Sequence, residues 1–174
     1  IRNGIKSIGK YAFYGMTTLK TIILPGSISL ISDYGIANCQ SLDQVIYLNS
    51  KSPEFGTGVF EGCKENISIY GPLSFEGNFN GKEVILASYR AGRYSYAYFN
   101  SSNGNMFVYG FGLTYDITTS NKQPWYSKST EIKSIHFTYG IQSIGTHFIS
   151  SSKSLETVSL PETVTFIGNN SFTN

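Results

Sequence analysis

The chain has 174 residues, with 13 basic and 11 acidic residues for a formal charge of +2, and only 14% charged residues against 40% hydrophobic ones. No basic run is present to neutralise phosphates, which gives nucleic-acid binding no support. No stretch approaches the roughly 18 continuous apolar residues of a membrane-spanning helix, so the composition describes a folded chain with a surface rich in Ser, Thr, Asn and Tyr.

In chain order, the sequence opens inside a pattern, Ile5-Lys6-Ser7-Ile8-Gly9, and stops at Asn174 just after a repeat unit has begun. An excerpt from a longer protein is the expectation. Ile8-Gly9 is followed by Phe13, Leu19, Ile22, Leu24 and Pro25. At the same phase of the next unit, Ile31 is followed by Ile36, Leu42, Val45 and, one place off register, Leu48. The run from Leu19 to Leu24 predicts a short strand with Ile22 and Leu24 on the core face and Ile23 outward. Pro25 ends it, having no N–H for a ladder. Ile28 and Ile31 return to the core, Phe13 fills the wider part of the coil, and the Gly after the turn Ile is expected to permit a tight turn.

The register weakens at residues 49–66, where the step from Ile36 to Phe60 is one place longer than the step from Ile8 to Ile31. Cys39 and Cys63 lie three residues after Ile36 and Phe60, at equivalent phases. Stacking at a strand spacing of about 4.8 Å would bring the thiols near each other. That leaves a buried ladder position and a disulfide both open, whereas two thiols and distant histidines do not make a metal site. Ile67-Ser68-Ile69-Tyr70 predicts a strand closed by Gly71-Pro72, and residues 73–88 read as a linker or irregular insert.

Residues 89–131 differ in character. Tyr94, Tyr96 and Tyr98 alternate, Asn103-Gly104 signals a hairpin, Met106 to Tyr109 returns, and Gly110-Phe111-Gly112 reads as a turn or bulge. A hairpin with Trp125 would cover the open end of a following stack. The pattern then resumes: Ile144-Gly145 precedes Ile149, Leu155, Val158, Leu160 and Pro161, and Ile167-Gly168 opens a further copy with Phe172 in the place of Phe13. Upstream, Ile132, Ile135, Phe137, Ile141 and Ile144 stand at the same offset before Leu155, Val158, Leu160, Val164 and Ile167.

A fixed period with apolar residues at constant phases predicts stacked coils sharing one core, because a single coil buries too little apolar surface to fold. Periods of about 20–29 residues are those of leucine-rich repeats. The fold expectation is mostly β: a leucine-rich repeat solenoid of 23-residue repeats, interrupted by an antiparallel β-hairpin cap region. Its parts are 1–72, the C-terminal part of one array; 73–88, the linker or insert; 89–131, the cap; and 132–174, the start of a second array.

The run from Leu155 through Val158, Leu160-Pro161 and Val164 to Ile167-Gly168, matched by the first copy from Ile8-Gly9 to Leu24-Pro25, resembles the repeat of the BspA-like leucine-rich repeat family. The segment from Asn103-Gly104 to Pro124-Trp125-Tyr126 resembles the region preceding a first repeat, without its family cysteine. Lys64 to Gly71 resembles the end of a run. The resemblance implies a surface or secreted protein of bacterial or mucosal-protist type, engaged in adhesion. Implied partners are host or extracellular-matrix proteins or other cell-surface proteins, with no nucleic acid and no membrane contact through this fragment, whether or not the parent is anchored. The alternative is a non-adhesive structural or intracellular protein-interaction scaffold.

No catalytic residue set is expected. HExxH, GxSxG and phosphate-loop motifs are absent from the sequence, and Asp33, Asp43 and Asp116 fall at separate phases. His136 and His147 also occupy different phases, so neither a metal nor a cofactor is expected. The candidate protein-binding surface is the outward strand column: Thr21 and Ile23, Gln44 and Ile46, Ser134 and His136, Thr157 and Ser159. Ile23 and Ile46 are its expected exposed apolar anchors. Arg90, Arg93, Tyr94, Tyr96 and Tyr98 form a second aromatic patch. Among three N-glycosylation sequons, Asn100 lies beside the hairpin turn, while Asn66 is expected at an inward phase.

Overall fold

The computed structural model describes residues 1, 3–118 and 123–173. The chain divides into two compact units, Ile1–Leu86 and Ala87–Asn174. Each is built from short strands stacked through parallel pairing. The expected cap includes residues 119–122, which lie outside the described residues.

In the first unit, β1 (Ser7–Ile8), β3 (Leu30–Ile31) and β5 (Glu54–Phe55) form one sheet, and β2 (Thr21–Leu24), β4 (Gln44–Tyr47), β6 (Ser68–Gly71) and β7 (Val84–Leu86) form another. All pairings within both sheets are parallel. The register sets Val45 between Ile22 and Ile69, and Leu24 beside Tyr47. Tyr47, not Leu48, therefore holds the phase of Leu24. Its ring is buried, and its hydroxyl donates to the Ile28 carbonyl at 2.9 Å. Ile8, Ile22, Leu24, Ile28, Ile31, Ile36, Leu42, Val45 and Ile69 form the core.

Within residues 73–88, read from the sequence as a linker or irregular insert, residues 73–86 contribute a further rung. β7 pairs with β6, and Phe75 and Phe79 are buried in the same core. Phe79 lies 4.9 Å from the Phe55 ring and 5.1 Å from Tyr47. The segment lacks the Ile-Gly signature, so its coil is invisible to the period. It joins the stack because two phenyl rings in water would forfeit about 1.5–3 kcal/mol each.

The second unit contains β8 (Tyr89–Arg90), β9 (Tyr94–Asn100), β10 (Asn105–Leu113), β11 (Ser134–Phe137), β12 (Ile141–Ile144), β13 (Thr157–Ser159) and β14 (Phe166–Ile167). β9 and β10 are the expected antiparallel hairpin, with Asn100 opposite Asn105 and Gly104 at φ +76° in the turn. β10 then does more than cap. Its first half pairs in parallel with β11, its end with β12, and its register shifts between Gly112 and Leu113. One strand thus supplies the first rung of both repeat sheets, and Gly110 and Gly112, both at positive φ, lie where its pairing passes from one to the other.

Trp125 closes the core of this unit. It is 1% exposed, its ring lies 4.6 Å from Phe148, and its indole N–H donates to the Phe148 carbonyl at 3.0 Å. Gln123 donates to the His147 carbonyl and to Ser150 Oγ, each at 2.7 Å. The short 3-10 turn Tyr126–Lys128 follows.

The turns correct one expectation. Their left-handed positions include Tyr11, Tyr34, His147 and Asn170, two residues after the Gly phase. Gly145 is needed for space: a Cβ there would run into the carbonyl of Tyr115 in the preceding rung. Surface charge adds little to any of this. The pairs Lys10–Asp33, Lys64–Asp43 and Lys128–Glu131 are all roughly half exposed, and such pairs contribute about 0–1 kcal/mol each.

Replacing Trp125 with Ala removes the largest buried ring and strands a carbonyl. The expected loss is about 3–5 kcal/mol of stability, read as a lower urea midpoint for unfolding followed by far-ultraviolet circular dichroism.

Candidate binding surface

The outward strand column exists in both units, with different character. In the first, Thr21 stands beside Gln44, Gln44 beside Ser68, and Ile23 beside Ile46. Thr21 Oγ1 donates to Gln44 Oε1 at 3.3 Å, and both residues are half-buried. Ile23 and Ile46 are not exposed anchors. They are 7% and 1% exposed. The ladder supplies part of that cover: Ile46 is flanked by Ile23 on one side and Tyr70 on the other, and Tyr70 by Ile85. Strand alternation predicts direction but not what an outward column of four apolar side chains does to its own members.

In the second unit the column is accessible. His136, Thr157 and Ser159 are exposed and Ser134 is half-buried. The register places Ser134 beside Thr157 and His136 beside Ser159. Sequence reasoning missed two further members. Because β10 is the first rung, Asn105 stands beside Ser134 and Phe107 beside His136. Ser134 Oγ donates to Asn105 Oδ1 at 2.8 Å, and the Phe107 and His136 rings meet edge to face at 5.9 Å. The repeat period could not find them, since a hairpin strand carries no repeat signature. The result is an amide–hydroxyl row beside an aromatic–imidazole row, both fixed by backbone pairing.

The aromatic patch is partly committed to its own turn. Arg90 donates from Nε to the Gly92 carbonyl at 3.2 Å and from Nη2 to that of Arg93 at 2.8 Å. Arg93 lies 5.2 Å from the exposed Tyr94 ring. Asn66 is exposed rather than inward, and Asn100 is half-buried, with its Oδ1 accepting from the Ser102 N–H.

Two carboxylates bond to a neighbouring coil. Asp33 Oδ1 accepts the Thr57 N–H at 2.9 Å, and Asp116 Oδ1 accepts the N–H and hydroxyl of Thr146, each at 2.8 Å. These bonds clip one coil to the next. The two from Thr146 hold the Asp116 carboxyl below its ordinary value. Asp116 also borders a shallow depression of about 620 Å³ lined by Leu113, Thr114, Gln142, Thr163 and Phe166. Among the described residues that line it, Asp116 is the one carboxylate. Among the described residues no group of three or more His, Cys, Asp or Glu could hold a metal ion.

Cys39 and Cys63 are both free thiols, the first buried and the second half-buried. Burial pushes both above the ordinary cysteine value. The neighbouring Cys63 thiol raises Cys39 further, while hydrogen bonds with Cys39 and the Lys82 ammonium partly offset the rise at Cys63.

Parallel coils in one constant register, with an alternating core and an ordered outward face, define a leucine-rich repeat protein. The chain belongs to the BspA type leucine rich repeat region family, which matches in six copies over residues 1–83 and 74–174. A solved leucine-rich repeat protein from Bacteroides ovatus is similar at 17% identity, with a TM-score of 0.26. The alignment covers 94% of this chain and 43% of that one, so the chain spans less than half of that protein's length. No curated protein matches the chain.

The Asp116 clip makes a pH prediction. Its folded-state carboxyl titrates below the unfolded value, so its stabilisation is present above the ordinary carboxylate range and is lost as pH falls through the folded value. Asp116→Ala is expected to lower stability at neutral pH and to flatten the acid limb of the stability curve, measured by urea unfolding between neutral and strongly acidic pH.

Proposed function

We propose that this chain is an extracellular protein-binding module that works in adhesion, meeting host, extracellular-matrix or other cell-surface proteins through the outward column of its second unit. Repeat families of this type are protein-interaction scaffolds, generally non-enzymatic, and BspA-type proteins are commonly surface or secreted. The observation that carries the reading is the accessible pair of rows Asn105–Ser134–Thr157 and Phe107–His136–Ser159. It combines hydrogen-bonding groups with aromatic faces, a composition suited to protein contacts. Both rows stand on paired backbone, which lowers the ordering cost of binding. Ile23 and Ile46 leave the proposed surface because they are buried. No helix among the described residues is long and apolar enough to cross a membrane.

The location is tested by antibody labelling of the full-length protein on intact, unpermeabilised cells. Labelling that disappears after brief external protease treatment is expected. Signal seen only after permeabilisation would instead make the protein an intracellular scaffold.

The surface is tested with immobilised matrix proteins and whole host cells as capture partners. His136→Ala combined with Ser159→Ala is expected to weaken capture about fivefold or more, the effect of losing roughly 1 kcal/mol at an interface. Unchanged capture with native circular dichroism would remove the column from the binding role.

A further inference from the structure

The two cysteines sit at the same place in successive coils and point the same way along the stack. Cys39 Sγ donates to the Phe13 carbonyl and Cys63 Sγ to the Ile36 carbonyl, both at 3.1 Å. Each thiol therefore reaches back toward the preceding coil. For Cys63 that coil is the one holding Cys39. The turn from Phe60 closes with the Cys63 N–H on the Phe60 carbonyl at 3.2 Å, so the carbonyl opening such a turn lies beside its fourth residue. Ile36 stands three residues before Cys39 at the equivalent phase, and the Cys63 thiol is hydrogen-bonded with Cys39 itself.

The backbone holds these coils at rung distance up to the cysteines. Ile36 N–H donates to Val59 O at 3.2 Å and Asn38 N–H to Glu61 O at 2.7 Å. A Cβ at Gly62 would collide with the Asn38 side-chain amide. Neighbouring rungs lie about 4.8 Å apart, inside the roughly 4.4–6.8 Å between Cα atoms that a disulfide spans. The corresponding residue of the first coil is Met16, so the site holds a pair of thiols and no third.

We propose that Cys39 and Cys63 are a redox-active dithiol that closes to an inter-coil disulfide when presented with a small-molecule disulfide oxidant. Cys63 is the half-buried member and Cys39 is fully buried, which sets the order of events. Cys63 loses its proton to solvent, and its sulfur attacks one sulfur of the oxidant. The oxidant's S–S bond breaks, one small thiolate leaves, and a mixed disulfide forms on Cys63. Cys39 then gives up its proton, attacks Cys63 Sγ and expels the second small thiolate. The protein loses two hydrogens and two electrons, and the oxidant becomes two small thiols. The new bond staples coils already in register, restricting the unfolded chain more than the folded one.

The test is incubation of the full chain in mixtures of oxidised and reduced glutathione, followed by acid quenching, alkylation and peptide mass mapping. The expected product is a monomer lighter by two hydrogens, carrying a linked Cys39–Cys63 peptide, with a raised urea midpoint that dithiothreitol reverses. Cys39→Ser is expected to stop at a glutathione adduct on Cys63. Cys63→Ser is expected to leave Cys39 unreactive until the protein is unfolded. In the unmutated protein, a persistent glutathione adduct on Cys63, a disulfide-linked dimer, or no reaction under oxidising buffer would each overturn the proposal. The two variants enter the comparison with circular dichroism matched to the parent chain.

Discussion

Backbone pairing between coils is the interaction on which this protein depends. A repeat coil carries strands as short as Ser7–Ile8 and no longer than Thr21–Leu24, and it cannot bury its own apolar face. Its N–H and C=O groups find partners mainly in the coil before and the coil after. That requirement locks the register. Once Thr21 pairs with Gln44, every phase of one coil sits beside the same phase of the next. The core then follows as columns of Ile, Leu and Val, and the outward face follows as columns of whatever the alternate positions hold.

The same constraint explains the side chains that are not apolar. A turn leaves amides that the strands cannot reach, and Asp33 and Asp116 satisfy them one coil away. The buried hydroxyl of Tyr47 satisfies a carbonyl that an aliphatic residue would leave bare. Trp125 and Gln123 do this at the opening of the second unit's stack, with an indole N–H and an amide directed at the carbonyls of the next coil. Pairing also decides where the second unit begins. β10 accepts parallel partners while lying antiparallel to β9, and its register shifts between Gly112 and Leu113.

For function, the consequence is that the surface is assembled from rungs and not from loops. His136 gains Phe107 as a neighbour only because a hairpin strand occupies the preceding rung. Ile23 and Ile46 occupy outward positions like that of His136, yet they are buried. Direction along a strand and accessibility of a side chain are separate properties. The first is local stereochemistry, and the second depends on what the neighbouring rungs hold.

The sequence by itself determined the period, the mostly β coil, the core phases and the hairpin at Asn103-Gly104, because these rest on alternation, on turn chemistry and on apolar residues recurring at constant spacing. It also determined that the cysteines share one phase. Tertiary structure alone decided that residues 73–86 add a rung, since Phe75 and Phe79 enter the core at positions the period does not mark. It decided that Gly145 is required for space against Tyr115 rather than for a left-handed turn. It decided, too, which outward residues are accessible. Each of these depends on atoms brought together from distant parts of the chain, and a one-dimensional pattern carries no measure of the space left between them.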